Sequence, residues 1–379
     1  MNIEKIREQE FPVTKNRIFF DHAKVAPLSR RVLDATRSFA EDAANFGTAH
    51  YARWMSGAEE TRESFARLIN ADIDEVAFVK NTTEGLSIVA NGVAWRRGDN
   101  VVVPDIEFPS NVYPWLNLER LGVETRFVHA AGGRVEFDDI VKRVDKRTRV
   151  VSVSSVECNS GFRNDLEKIG AFCKERDVYF CVDAIQSLGA LPMDVKKCHV
   201  DFLAADGHKW MMSVEGLGGF YISSEVLEEI HPAVVGWDSV VDAQNFMNYD
   251  FTLRPGAQRF EEGSFNTLSI HAFGAALSLL HEVGVERIET RLMELGDRIL
   301  EALRARNLKV LNSTTPGERS GIVSFAFAAD LKKFSAFMAE NRVSLTVRDG
   351  MVRLSPHFYN TAEEIDAFFD LLDRFRQFK

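Results

Sequence analysis

The sequence predicts an α/β protein in which a large domain, built on a mostly parallel seven-stranded open sheet, is followed by a small C-terminal α+β domain. Three observations carry this expectation. From about residue 75 to 223, short β-branched or apolar runs alternate with amphipathic segments, the pattern of parallel strands joined by crossover helices. After Phe251 the pattern changes to long helical periodicity and then to short strands. The 379 residues exceed one typical domain.

The expected strands of the large sheet are, in order, EVAFVK, NVVVP, TRFVHA, RVVSVSSV, VYFCVDA, DFLAADG and GGFYIS. Between them NDLEKIGAFCKER places Leu166, Ile169, Phe172 and Cys173 at helical spacing, with Asn164 or Asp165 ready to cap. An apolar helix from about Thr267 to Val283 is closed by Gly284, and a charged helix follows from about Val285 to Arg306. In the remainder KVLN, GIVSFAF, VSLTVR and MVRLSP read as strands. The last helix opens at the capping box Thr361-x-x-Glu364, ahead of Ile365, Phe368, Phe369 and Leu372.

Composition narrows the function. The chain is 45% hydrophobic and 27% charged, with a formal net charge of -10, and no basic block is interleaved with aromatics, so nucleic acid is not an expected partner. The start MNIEKIREQEF lacks the apolar centre of a signal peptide, and no apolar run approaches the roughly 18 residues of a membrane span. A cytoplasmic protein with no membrane partner is expected. Cys158, Cys173, Cys181 and Cys198 have neither disulfide-framework nor zinc-ligand spacing, so no metal is expected and the thiols read as incidental.

The chemistry concentrates at strand ends. VYFCVDA ends on Asp183 with Gln186 three residues later, and Lys209 follows one helix-sized segment and one strand further on. Carboxyl ends of neighbouring parallel strands lie on one edge, so Asp183 and Lys209 are expected to face one crevice. That pair suits pyridoxal phosphate: the lysine forms a Schiff base, the aspartate keeps the pyridine nitrogen protonated, and Gln186 reaches the phenolic oxygen. The plain alternative is a Lys209–Asp183 ion pair. In KNTTEG, Thr82 and Thr83 open a helix whose free N–H groups form an anion site, the alternative being simple capping by Asn81 or Thr82. His208 adds a phosphate-side donor or orients the loop.

The motifs FDHAKVAPLS, NTTEG, EFPSNVYPW, VDAIQSLGALPMDV, DFLAADGHKWM, RFEEGSFN and VRDGMVRLSPHFYNT, in this order, resemble the class V aminotransferase and cysteine desulfurase family of fold-type I pyridoxal-phosphate enzymes. The resemblance implies a homodimer with shared active sites acting on an amino acid. It implies an N-terminal arm (1–18) packing on the small domain, a large cofactor-binding domain (19–250) and a small domain (251–379). Position by position, it makes Lys209 the Schiff-base lysine and catalytic residue, Asp183 the pyridinium partner and Gln186 the phenolate partner. Thr82, Thr83 and His208 fall at the phosphate, Phe108 on the ring, and Ser264 reaches the phosphate from the neighbouring subunit. Arg348 matches the substrate-carboxylate clamp, with Arg353 its rival, and His50 and Asn111 fall on the substrate side, although packing is the alternative for Asn111.

Departures narrow the branch. Desulfurases resembling this chain use a cysteine downstream of the lysine, and here all four cysteines precede Lys209. Persulfide formation is therefore disfavoured, because only a thiolate serves as acceptor. Asp206 stands where relatives carry a phosphate-donating serine, and an ionised carboxylate is expected to face away from a phosphate. The compact ending resembles the isopenicillin N epimerase-like branch. Transamination, β-elimination with carbon–sulfur cleavage, epimerisation and a non-catalytic cofactor-binding role all remain open at this point.

Overall fold

The computed structural model describes residues 3–377. The first strand, β1 (Ile18–Phe19), belongs to a two-stranded parallel clip whose other member comes late in the chain. The large sheet comprises β2 (Val76–Val79), β3 (Asn100–Pro104), β4 (Glu124–Val128), β5 (Thr148–Ser154), β6 (Tyr179–Asp183), β7 (Phe202–Asp206) and β8 (Gly218–Ile222). They lie in the order β2-β8-β7-β6-β5-β3-β4, so all seven expected strands enter one sheet. Only β8 runs against its neighbours, which leaves β2 parallel to β7.

This direction matters for the site. The carboxyl ends of β2, β5, β6 and β7 share one edge, with Ser154 opposite Asp183 and Asp183 opposite Ala204. These strands read as apolar runs because helices cover both faces. The helix Leu166–Glu175 is capped by Asp165, which accepts from Lys168 N, and Thr267–Val283 ends at Gly284 as expected. The latter packs through Ile270, Phe273, Leu277 and Leu280 into the main core, beside the helices Arg30–Phe46 and Tyr51–Ile69. No single described helix is long and apolar enough to cross a membrane.

A second sheet holds β9 (Val323–Ala326), β11 (Thr346–Arg348) and β12 (Met351–Leu354) in the antiparallel order β11-β12-β9, while β10 (Val343–Ser344) pairs with β1. Its core, including Leu295, Phe325, Leu354 and Phe368, takes in Phe20 from the start of the chain. The N-terminal helix Ile3–Glu10 reaches the same unit: Arg7 pairs with Glu364 at 2.7 Å and donates to Tyr359 O at 2.8 Å. The last helix starts with the expected box, Glu364 accepting from Thr361 N and Thr361 Oγ1 from Glu364 N.

Two expected strands differ. KVLN forms only a single bridge, Val310 to Phe325, because Asn312 is drawn across to Ser160 O and Ile322 O. VSLTVR divides at Leu345: Ser344 pairs with Phe19 whereas Thr346 pairs with Arg353.

Candidate functional site

Four strand ends converge on a cavity of about 260 Å³. It is lined by Thr82, Thr83, Phe108, Asp183, Gln186, His208, Lys209, Arg348 and Arg353 among the expected residues. From β2 the chain turns through Asn81, whose side chain accepts from Glu84 N at 2.9 Å, into the helix Thr82–Gly92. The first N–H groups of a helix have no intrahelical acceptor, so this end is polarised for an anion. Gly85 brings the helix against β7, since a Cβ there would lie 2.6 Å from that of Ala204. Asp206 N donates to Thr82 Oγ1 at 3.0 Å, fixing the helix start to the end of β7.

Lys209 follows β7 by three residues, and its side chain is almost wholly buried. Burial pulls its pKa down from the ordinary value, and the charge of Asp183 only partly opposes this. Lys209 forms no ion pair at contact distance among the described residues, so the plain-pair reading does not describe the arrangement. Its Nζ lies 5.6 Å from the centre of the Phe108 ring. Asp183, also buried, accepts from Ile185 N at 3.0 Å, and its pKa is pushed up to about 6 by burial despite that bond and Lys209. A cavity thus holds a buried amine whose pKa is lowered, a carboxyl raised to about 6 and a helix start.

The other residues divide. Gln186 lines the cavity, but its Nε2 donates to Ala23 O at 3.0 Å and its Oε1 accepts from Trp210 Nε1 at 2.9 Å, leaving one amide hydrogen. Arg353 is 8% exposed; its Nη1 donates to Cys158 O at 2.8 Å, and its buried Nε has no partner. Arg348 stands at the mouth, its side chain half exposed and 3.3 Å from Asp349. Both arginines line the cavity; Arg353 is the buried one, with Asp21 3.8 Å from its Nη2.

Asp206 is buried and is among the residues that line the cavity. His208 Nδ1 lies 2.8 Å from Asp206 Oδ1 but off the line of a hydrogen bond, so the imidazole is a close polar neighbour of the carboxylate. Three expected residues lie outside the cavity lining. Asn111 is fully buried behind Phe108, its Oδ1 accepting from Trp115 Nε1 at 3.0 Å and Ser152 Oγ at 2.5 Å, so the packing alternative describes it. His50 precedes the helix Tyr51–Ile69 and is tied to Asp42 at 2.9 Å, in a cluster with Arg53 and Trp54. Ser264 is exposed and is not among the residues lining its own chain's cavity.

Several site residues escaped the sequence reading. Cys158 lines the cavity four residues past β5, a strand-end position that was its only local signal. Burial, reinforced by Glu157 and Glu107 against Arg353 and Lys209, raises its thiol to about 11. Glu107, adjacent to Phe108, is bound by Ser154 through both N and Oγ at 2.5 Å. Burial, with the charge of Asp183, pushes it to about 8 against the pull of those bonds. Glu157 is raised as well, by burial and by Glu107. Lys24 is a second, exposed amine on the cavity wall. Among the described residues no group of three or more His, Cys, Asp or Glu is placed to hold a metal ion.

The sequence pattern of the family described as Aminotransferase class-V matches residues 18–368. A probable cysteine desulfurase of Methanothermobacter thermautotrophicus is 32% identical, covering 98% of both chains. Among solved structures, the apo cysteine desulfurase of Thermococcus onnurineus NA1 superposes with a TM-score of 0.90 at 26% identity, covering 99% of this chain and 98% of that one. The cystine C-S lyase C-DES, with its product cysteine persulfide, gives 0.87 at 25% identity, covering 95% and 98%. A variant of C-DES with glycine covalently linked to its PLP cofactor gives 0.88 at 25%, covering 96% and 98%.

Proposed function

The chain belongs to the class V aminotransferase family, a family of pyridoxal-phosphate enzymes, and on that premise we propose that it breaks a bond at Cα of a small amino acid with Lys209 carrying the cofactor. The observation that supports this most is a nearly buried amine, without an ion-pair partner, in one cavity with Asp183 and a helix start. The residues fit the cofactor: Thr82, Thr83 and the helix N–H groups for the phosphate, His208 beside them, Asp183 for the pyridine nitrogen, Gln186's remaining hydrogen for the phenolic oxygen, and Phe108 for the ring face. When bound, pyridoxal phosphate supplies an electron sink for the pair left at Cα. Asp183 holds a proton at the pyridine nitrogen. Lys209, whose pKa burial pulls down from the ordinary value, is the group placed to take and return the proton at Cα. Arg353, on the cavity wall with Asp21 at 3.8 Å, binds the substrate carboxylate; Arg348 guards the mouth.

Within this chemistry we favour β-elimination, with release of sulfide or a thiol to solvent, over persulfide formation on the enzyme. Cys158 is the cysteine at the cavity, and a thiol held near 11 is protonated at neutral pH. The likeness to the C-S lyase C-DES supports the same reading. We also propose a homodimer that completes the site through Ser264. Its support is an apolar surface along residues 234–251, where Val234, Phe246, Met247, Tyr249 and Phe251 are each more than 60% exposed. The test is incubation with a panel of amino acids while following cofactor absorbance and product masses. Keto acid plus liberated thiol or sulfide supports elimination, aminated cofactor supports transamination, and absence of spectral change and product across the panel defeats the proposal.

A further inference from the structure

The motifs FDHAKVAPLS and SPHFYNT contribute a buried polar assembly that the proposed chemistry does not use. His357 is fully buried. Its Nδ1 accepts from Phe358 N at 2.8 Å, so in the neutral ring the proton sits on Nε2, which faces the carbonyl oxygen of Trp210 at 3.0 Å. His22 has the opposite tautomer: Nδ1 faces Ser355 O at 2.9 Å as donor, and Nε2 faces the Tyr359 hydroxyl at 2.9 Å as acceptor. Both rings have every nitrogen satisfied.

Trp210 is the residue after Lys209, and two of its polar groups are held by these side chains: the carbonyl by His357 and the indole N–H by Gln186. Gly189 permits this, because its φ is +94° and a Cβ there would lie 2.3 Å from Trp210 O. On the other side, His357 follows Arg353 by four residues on the segment leaving β12. We propose that His357 is a positioning residue for Lys209: its Nε2–H, bonded to the carbonyl of Trp210, fastens the Trp210–Met211 peptide, one residue beyond the lysine, to the segment carrying Arg353. The two functional side chains, which come from different sheets, are thereby set in one frame.

Electrostatics supports a permanent fastening. Burial drives the pKa of His357 down to about 4, and that of His22 well below its ordinary value, so neither ring is charged near neutrality. The groups facing His357 are the Trp210 carbonyl, the His22 ring and, stacked at 6.3 Å, the Tyr359 ring.

The proposal rests on Lys209 carrying the cofactor. Its test compares holoenzyme of wild type, His357→Gln and His357→Asn, because an amide at Gln Nε2 reaches about as far as imidazole Nε2 whereas Asn falls short. The readout is the pH midpoint of the visible absorbance of the lysine-linked cofactor, with melting temperature recorded alongside. His357→Asn should shift the midpoint by about half a pH unit or more, the effect of losing roughly one hydrogen bond's worth of positioning, while His357→Gln stays with wild type. Superimposed midpoints for all three, or equal shifts for both variants, would overturn the role of His357. A wild type without a cofactor linked to Lys209 would instead overturn the functional reading beneath it.

Discussion

Replacing Glu107 with glutamine should make the protein more stable in mild alkali, although the carboxyl is buried next to Phe108 of the cavity wall and bonded through both oxygens. Burial raises its pKa from the ordinary 4.5 to about 8. Between those values the folded chain keeps a proton that the unfolded chain has lost, so stability falls as pH rises through the window, by about 1.4 kcal/mol per pH unit. Over the 3.5 units from 4.5 to 8 the sum is about 5 kcal/mol, an upper figure because the proton is shared with Asp183 and Glu157. Glutamine is neutral in both states, and its amide accepts from Ser154 N while donating to Ser154 Oγ. Urea midpoints at equal protein and cofactor concentration, measured from pH 5 to 8.5, should show a slope shallower in Glu107→Gln by about one proton's worth. Parallel curves, or a variant less stable than wild type at pH 8, would refute the reasoning.

Other expectations concern the substrate side and the scaffold. Arg353→Ala should raise KM for the amino acid about tenfold to a hundredfold, the worth of a charge-assisted bond, with cofactor absorbance retained, whereas the half-exposed Arg348→Ala changes it only a few-fold; steady-state kinetics showing the reverse order would contradict this assignment. Cys158→Ser should keep sulfur release from a β-substituted substrate, and its abolition would restore the persulfide route. Glu261→Ala removes the buried partner of Arg62, now 2.6 Å away, and leaves it the half-exposed Glu59 at 3.1 Å and the Val76 carbonyl, so it should cost up to about 3 kcal/mol in unfolding experiments without moving the absorbance maximum of folded enzyme.

The large sheet was legible because each strand is a short apolar run between turn signals, and a parallel sheet buries both faces. KVLN was misread because Asn312 has tertiary partners that pattern does not reveal, and VSLTVR because its halves serve different sheets. Lys209, Asp183 and Thr82 were legible for a different reason: strand ends and helix starts carry their own local marks. Cys158, Glu107 and Glu157 were not, since their meaning comes from neighbours on other strands and from desolvation. The bonds of His50 to Asp42 and of Asn111 to Ser152 join residues far apart or on different elements, so the sequence does not announce them.

On the proposed function, one buried amine, Lys209, carries the cofactor. Borohydride treatment of the yellow holoenzyme followed by peptide mass mapping tests it directly. A cofactor-derived mass on the peptide containing Lys209, with a colourless Lys209→Ala variant, is the predicted result. The same mass on Lys24, the exposed amine that shares the cavity wall, or an unchanged spectrum in the variant, would contradict it.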